Sequence, residues 1–305
     1  MLDTTRPAPA DPWVAAWAAE IVRVLAGLAH MLRGGRLTEP VVHRSRRELK
    51  RLRSLLRLAS GASAELAAET REVTGVLRRH LGHTRDAAVM LKTLQSLAGD
   101  LGETAARIKP VLSLHHRAAS ATLDRASRRS DRERIVRLGA QWRARRAGGG
   151  LDKLHGQAVK TYREARRRFR ALGAGKLSAL HPLRKVCVDH QNHLAFFATY
   201  ADSAIAKRHA KVRKLRDRLG LCHDLEVLRD FVRTRTDVSA VDLIRLEEVL
   251  TKRHLRLVAK SMKLAETLLD EKPRGFGKWL KREIPDRAGE LATKRLPELG
   301  EEAAE

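Results

Sequence analysis

The sequence predicts an all-α protein, and three observations support that fold class. Apolar residues recur three and four positions apart in every long segment, as they do along the buried face of an amphipathic helix. Strand-like alternation of apolar and polar residues is absent throughout the chain. The two halves of the chain also match without a gap at an offset of 138 residues. A duplicated helical unit predicts two helical bundles related by a pseudo-two-fold axis.

Five helices are predicted in the first half, and their ends carry recognisable signals. Gly34 and Gly35 end the first helix, while Thr38 is a candidate N-cap of the second, with Pro40 in its first turn. Gly82 ends the third helix. We expect these helices at residues 13–33, 41–59, 63–80, 84–99 and 103–129. Residues 131–147 are strongly basic, and the three glycines at 148–150 form the clearest linker.

The same order of helices begins again after the linker. We expect helices at residues 151–171, 178–200, 202–219, 224–235 and 239–269, and an amphipathic piece around Trp279 before an acidic end. The predicted organisation is a disordered leader at 1–12, a first helical repeat at 13–147, the Gly linker at 148–150, a second helical repeat at 151–285 and a tail at 286–305. Residues 13–285 together form one domain.

The charge of the chain points to an anionic partner. Its 305 residues include 62 Lys and Arg against 36 Asp and Glu, which leaves a formal net charge of +26. Such an excess destabilises the compact state by self-repulsion, and nucleic acid, polyphosphate or an anionic membrane surface would relieve it. Aromatic residues make up only 4%, and those at Tyr162, Phe169, Phe196, Phe197 and Tyr200 are expected in the core. This scarcity disfavours stacking on single-stranded nucleic acid.

Cysteine usage and hydropathy predict a cytoplasmic protein. Cys187 and Cys222 are the only cysteines and form no CxxC motif, which is typical of a reduced compartment. No apolar run approaches the roughly 18 residues required to span a bilayer, so no transmembrane segment is expected. The polar, proline-rich N-terminus does not have the character of a signal peptide.

Residues 41–59 carry the most distinctive pattern in the chain. At 100° per residue they form one apolar stripe at Val42, Ser45, Leu49, Leu52, Leu56 and Ala59. A second stripe lies beside it, within a sector roughly 80° wide, and consists of His43, Arg46, Lys50, Arg53 and Arg57. A solvated face usually mixes both signs of charge. A single-sign stripe at the edge of the core therefore predicts contact with a phosphate-rich polyanion.

Part of this pattern recurs in the second half of the chain. The offset of 138 residues pairs His43 with His181, Arg46 with Arg184, Arg47 with Lys185, Arg78 with Arg216 and His116 with His254. In the second copy, Val188, Asp189 and Gln191 stand where the first copy has basic residues, so its helix should contribute less. Arg213 and Arg216 on the following helix, with His209, are expected to compensate.

These residues resemble the CHAD domain, the conserved histidine α-helical domain. The resemblance rests on a His followed by an Arg- and Lys-rich helix (HRSRRELKRLR) and on a later LGxxxD, both of which occur twice. It covers nearly the whole chain and implies two pseudo-symmetric helical bundles that bind inorganic polyphosphate through basic surface residues. No ExExK-like motif of an attached CYTH-type triphosphatase is present, so the chain resembles a stand-alone CHAD protein, and polyphosphate granules are a possible place of action.

The pattern, the repeat and the resemblance together predict the binding residues. They are His43, Arg46, Arg47, Lys50, Arg53, Arg57, Arg78, His116, His181, Arg184, Lys185, Arg213, Arg216 and His254. His43 and His181 are expected to open their helices, where unpaired N–H groups and the helix dipole favour an anion or a local cap. His116 and His254 could instead pack against a neighbouring helix.

LGHTRD and LGLCHD are expected to be architectural. Gly82 and Gly220 would take a left-handed conformation at the end of one helix. Asp86 and Asp224 would then cap the N-terminus of the next helix.

Two rival functions remain open, and catalysis is not expected. The chain contains no P-loop, HExxH or GxSxG motif, and no cofactor is predicted. A helical nucleic-acid or chromatin-associated protein would fit the charge equally well. A metal-binding or granule-scaffold protein is the second rival. His190 and His193 share a helical face, but no carboxylate or cysteine stands at a matching spacing for a structural metal.

Overall fold

Twelve α-helices form the fold in the computed structural model, which describes residues 11–33, 38–120, 125–144, 150–174, 177–201 and 203–284. The helices are α1 Pro12–Met31, α2 Glu39–Leu56, α3 Ala64–His80, α4 Gly82–Ser96, α5 Ala98–Leu101, α6 Glu103–Ser120, α7 Arg125–Ala144, α8 Leu151–Gly173, α9 Leu180–Ala198, α10 Ser203–Arg233, α11 Ala240–Leu269 and α12 Pro273–Glu283. No strand occurs within the described ranges. The all-α prediction is therefore confirmed.

The first helix begins at a local cap that also fastens it to the second half of the chain. The Asp11 carboxylate accepts hydrogen bonds from the backbone N–H groups of Trp13 and Val14, and Pro12 occupies the first turn. The other oxygen of Asp11 accepts from the backbone N–H of Leu151 at 3.1 Å. One carboxylate thus satisfies the first amides of both α1 and α8.

Among the described residues, α1 alone is long and apolar enough to cross a membrane. Eleven of its residues are buried in this fold, among them Trp17, Ile21 and Leu28. Trp17 also donates its indole N–H to the carbonyl oxygen of Leu55 in α2 at 2.9 Å. These contacts make α1 a central core helix of the bundle.

Both halves of the chain contribute to both hydrophobic cores. The larger core joins α1, α2, α3 and α7 to α8, α9, α12 and parts of α10 and α11. The smaller core joins α4, α5 and α6 to the remaining parts of α10 and α11. The predicted linker at 148–150 therefore does not separate two hydrophobic cores, and of its residues only Gly150 is described.

The expected aromatic core is present. Tyr162, Phe196 and Phe197 are buried, and Phe169 and Tyr200 pack against the larger core. Cys187 and Cys222 are buried free thiols, and burial raises the pKa of each to about 12.

Helix α7 was not among the predicted helices. The basic stretch after residue 130 belongs to α7, which packs against α1 and buries Ile135, Leu138 and Trp142. These apolar residues follow helical spacing, but arginines surround them.

The helix expected at 103–129 also differs from the structure. Helix α6 ends at Ser120, residues 121–124 lie outside the described part, and α7 begins at Arg125. Of the predicted leader at 1–12, residues 1–10 lie outside the described part, and Asp11 and Pro12 are the N-cap and first residue of α1. The predicted tail at 286–305 also lies outside the described part.

The LGxxxD segments do not have the architecture that was predicted. Gly220 and Asp224 lie inside α10, which runs without a break through the expected boundary between 219 and 224. Gly82 is the first residue of α4, and Asp86 lies within α4. The prediction of left-handed glycines and capping aspartates is therefore wrong at both sites. The physical reason is that buried residues on both sides of Gly220, such as Leu219 and Cys222, hold α10 together, which outweighs the helix cost of one glycine.

We expect Gly220→Ala to raise the free energy of unfolding by up to about 1 kcal/mol. An added Cβ at Gly220 meets no atom within 4 Å, so the change reduces the entropy of the unfolded chain without a steric cost. Urea denaturation measures the effect. Gly102→Ala is the matched control and should destabilise, because Gly102 ends α5 at a φ of +57°. Destabilisation by both changes would contradict a continuous α10.

Candidate functional site

The two stripes predicted for α2 are present side by side. Val42, Ser45 and Leu49 are buried, as are Leu52 and Leu56. α2 packs against α1, α3, α4 and α9, so its apolar stripe is enclosed and its basic stripe lies along the edge of the enclosed face. Thr38 occupies the N-cap position with an extended backbone but makes no side-chain capping bond.

The basic stripe of α2 lines three adjoining cavities. The first has a volume of about 430 Å³ and lies between α2, α9 and α10. The second, of about 140 Å³, lies between α2 and α3 and shares Lys50 with the first. The third, of about 370 Å³, extends to α8 and shares Arg53 and Arg71 with the second. We call the three together the basic trough.

Positive charge dominates the basic trough. Its lining contains ten Arg and Lys side chains and one histidine, which are His43, Arg46, Arg47, Lys50, Arg53, Arg57, Arg71, Arg78, Lys160, Arg184 and Arg216. Only three carboxylates share the lining, those of Asp217, Asp224 and Glu164. No Phe, Tyr or Trp is among the described lining residues. The trough is therefore suited to anionic oxygens, and its described lining offers no aromatic ring on which a base could stack.

Nine of the fourteen predicted residues line the basic trough. Six line the first cavity, namely His43, Arg46, Arg47, Lys50, Arg184 and Arg216. Arg53 and Arg78 line the second cavity, and Arg53 and Arg57 the third. These groups come from α2, α3, α9 and α10, so the trough depends on tertiary packing.

Arg46 of α2 also contacts α3 and α4. One of its terminal nitrogens donates to the carbonyl oxygen of Arg78 in α3 at 3.5 Å, and the other lies 4.0 Å from an Asp86 carboxylate oxygen in α4. Its side chain is only 14% exposed. Changing Arg46 would therefore disturb the packing of α2 as well as the charge of the trough.

Arg53 and Arg57 are already paired within the protein. The Nε of Arg57 lies 3.2 Å from one oxygen of Asp189 in α9, and a terminal nitrogen of Arg53 lies 3.6 Å from the other. Ser54 donates its hydroxyl to the same carboxylate at 2.8 Å. The two cations at this end of the α2 stripe are thus partly neutralised by the second half of the chain.

The other five predicted residues lie outside the trough lining. Lys185 is exposed on α9, and the Arg213 guanidinium lies 4.0 Å from the Asp217 carboxylate. His116 is half-buried on α6. His181 and His254 belong to a separate cluster of polar residues.

That cluster centres on Glu226 in α10. His254 Nε2 lies 3.2 Å from one Glu226 oxygen, and His223 Nδ1 lies 3.8 Å from the other. The rings of His181 and His223 are 4.9 Å apart. The hydrogen bond from His223 lowers the pKa of Glu226, and burial together with the neighbouring Lys185 lowers that of His181.

Of the paired histidines His43 and His181, only His181 lies at the start of its helix as predicted. His181 is the second residue of α9, as predicted for a residue that opens its helix. α2 begins at Glu39, four residues before His43, so His43 lies beyond the first four unpaired N–H groups. His43 therefore lines the first cavity from within the helix.

Two trough residues were missing from the predicted set. Arg71 lies on α3, and Lys160 lies on α8. Lys160 belongs to an ordinary basic helix face, and no local signal distinguishes it from the surrounding Lys and Arg residues of α8. Only the packing of α8 beside the end of α2 places it at the trough.

Metal-ligand geometry does not occur in the part of the chain that the structure describes. No group of three or more His, Cys, Asp or Glu side chains is placed there to hold a metal ion. His190 and His193 are both buried, and His193 Nε2 is 2.8 Å from the carbonyl oxygen of Ser54. Burial lowers the pKa of both rings.

The family comparison agrees with the residues described above. The CHAD domain model matches residues 15–233, which is most of the chain. This family is associated with polyphosphate binding, and its domain is generally a binding domain rather than a catalytic one. A comparison with curated proteins finds no match. The matched span contains α2, α9 and α10, and with them most of the basic trough. The chain belongs to the CHAD domain family.

Proposed function

We propose that this protein binds inorganic polyphosphate along the basic trough, without catalysis and without a cofactor. The observation that carries the proposal is the run of three adjoining cavities. Their lining contains ten Arg and Lys side chains and only three carboxylates. A linear chain of phosphates can satisfy such a run one phosphate after another. A compact anion could fill only one of the cavities.

The residue types suit this ligand. The planar guanidinium of arginine forks onto phosphate oxygens and stays charged at all relevant pH values, while lysine adds a point charge. Each neutralised phosphate releases condensed counterions, so affinity should come from the number of contacts and fall steeply with salt. His43 could donate to a phosphate oxygen within the first cavity.

We also propose that the trough belongs to a duplicated fold with a pseudo-two-fold axis. Two contacts between equivalent positions support it. Asn192 donates its side-chain amide to the Ser54 hydroxyl at 2.9 Å, and Thr104 donates its hydroxyl to Asp242 at 2.9 Å. Both pairs are 138 residues apart, which is the offset of the sequence repeat. In a two-fold arrangement, only residues near the axis can contact their own equivalents.

Competition between ligands tests the proposed function. We expect long-chain polyphosphate to displace a labelled short polyphosphate at lower phosphate concentration than duplex DNA does, at equal salt. The apparent affinity should rise with chain length and fall over several decades between 50 and 200 mM salt, if six to ten phosphates are contacted. Fluorescence anisotropy over this salt range provides both numbers.

The outcomes separate the rival functions. Equal affinities for polyphosphate and duplex DNA would favour a generic polyanion binder. Tighter binding of DNA would favour a helical nucleic-acid or chromatin-associated protein and would overturn the proposal. Metal content after purification tests the metal-binding rival. We also propose a cytoplasmic location, which the cysteine usage favours, and association with polyphosphate granules, for which the proposed ligand is the reason. Imaging of cells with and without granules tests both.

A further inference from the structure

A buried carboxylate lies directly beneath the basic trough. Asp189 is only 1% exposed, yet its oxygens contact the two arginines at one end of the α2 stripe, Arg57 at 3.2 Å and Arg53 at 3.6 Å. Both arginines also line the third cavity of the trough. The carboxylate is therefore within reach of cations that a bound phosphate would also contact.

The two copies of the repeat differ at this place. The offset of 138 residues matches Asp189 with Arg51, which forms an ion pair with Glu20 on α1 instead. The same offset places Gln191 and Ala195 at the positions of Arg53 and Arg57. One helix of the pair thus supplies two cations, and the other supplies a carboxylate that faces them.

The position of Asp189 matters because burial weakens solvent screening. Opposite charges interact more strongly near the interior of a protein than in water, and salt screens them less. Asp189 therefore offsets about one positive charge at the α8 end of the trough, and salt screens this effect less than it screens a pair of exposed charges. The carboxylates that line the first cavity are less buried than Asp189: Asp217, which pairs with Arg216 at 2.8 Å, is 55% exposed, and Asp224 is half-buried.

We propose that Asp189 is an internal counter-anion that limits how far along the trough a polyanion is held tightly. It partly neutralises Arg57 and Arg53, so the third cavity contributes less to binding than the first. The carboxylate acts through the two arginines as a specificity-determining residue. The inference rests on the proposed function of the trough.

The Asp189→Asn variant tests the inference. The amide oxygen can still accept the Ser54 hydrogen bond, and Arg57 and Arg53 can reach solvent, because their side chains are 51% and 33% exposed. We expect long polyphosphate to bind on the order of fivefold more tightly at 0.1 M salt, with a log–log salt slope steeper by about one contact. Asp152→Asn on α8 is the matched control, because this exposed carboxylate pairs only with Lys281 among the described side chains.

A double-mutant cycle supplies the second readout. We expect Arg57→Ala to weaken polyphosphate binding severalfold more in the Asp189→Asn variant than in the unmodified protein, because Asp189 no longer offsets the charge of Arg57 in that variant. Equal effects of Asp189→Asn and Asp152→Asn would overturn the inference, and weaker binding of Asp189→Asn would show that Asp189 instead positions the arginines. If Asp189→Asn fails to fold, the comparison of Arg57→Ala with Lys50→Ala in the first cavity replaces it, and an equal loss of affinity from these two changes overturns the inference. Failure of the unmodified protein to bind polyphosphate would refute the proposed function instead.

Discussion

Reversing three charges in the first cavity is expected to abolish polyphosphate binding. The triple change Arg47→Glu, Lys50→Glu and Arg184→Glu removes six of the seven excess positive charges of the basic trough. It also replaces three phosphate contacts with repulsion. We expect the affinity for long-chain polyphosphate at 0.1 M salt to fall by roughly 100-fold or more. Anisotropy titrations of labelled polyphosphate measure the loss directly.

All three residues line the first cavity. Arg47 is 66% exposed, and Lys50 and Arg184 are half-buried at the cavity wall. Arg46 and Arg53 are unsuitable, because Arg46 contacts the Arg78 carbonyl and Asp86, and Arg53 faces the buried Asp189. A glutamate at Arg53 would place a second carboxylate beside the buried Asp189 and destabilise the fold. A loss of binding could then not be distinguished from unfolding.

A control of equal charge is available on α7. Arg134, Arg137 and Arg143 are exposed and line none of the three trough cavities. Reversing these three charges changes the net charge by the same amount. We expect the affinity for long-chain polyphosphate to fall less than tenfold. Comparable losses from both triple changes would mean that overall charge binds the polyanion. The assignment of the trough as the site would then be wrong.

Acidification is expected to destabilise the fold steeply through two buried histidines. His190 and His193 are each 1% exposed, and burial lowers the pKa of both rings. Neither ring nitrogen of His190 has a hydrogen-bond partner among the described residues. Its ring packs against Tyr162 and Phe276, and the Arg208 guanidinium nearby further disfavours a second positive charge.

The direction of the pH dependence follows from proton binding. An unfolded histidine titrates near pH 6.5, whereas these rings stay neutral in the folded protein to lower pH. As the pH falls below about 6.5, the unfolded chain gains protons that the folded chain does not bind. The free energy of unfolding should therefore decrease by about 1.4 kcal/mol per pH unit for each histidine, until the folded pKa is reached.

Urea denaturation between pH 7.5 and pH 5 measures this effect. We expect His190→Leu to reduce the slope by about 1.4 kcal/mol per pH unit, since leucine cannot take up a proton in the unfolded chain. The exposed His30 provides the control, and His30→Gln should leave the slope unchanged. An unchanged slope in His190→Leu would mean that His190 is protonated in the folded protein or that the acid sensitivity arises elsewhere.

Much of the fold could be predicted because helix signals are local. The two stripes of α2 follow from a rotation of 100° per residue, which any run of side chains obeys once a helix forms. The errors arose where packing overrides a local signal. Gly220 resembles a helix end, yet buried residues on either side keep α10 continuous. The apolar face of α7 was hidden because arginines interrupt Ile135, Leu138 and Trp142.

The site was predictable only in part for the same reason. Periodicity identifies Arg46, Lys50 and Arg53 as neighbours on one helix, but it cannot say which distant side chain faces them. Asp189 is 135 residues away from Ser54, and it contacts Ser54, Arg53 and Arg57 only because α2 crosses α9. Lys160 joins the trough through the packing of α8. Both contributions depend on how helices cross.

The amino-acid sequence alone determined the all-α class, the family resemblance, the excess of positive charge and the basic stripe of α2, because each is a property of composition or of a single helix. Tertiary structure decided which cations share the trough, which of them a buried carboxylate neutralises, and that both halves of the chain build each core. Helix crossing angles and registers set those relations, and they result from side-chain packing between residues far apart in the chain.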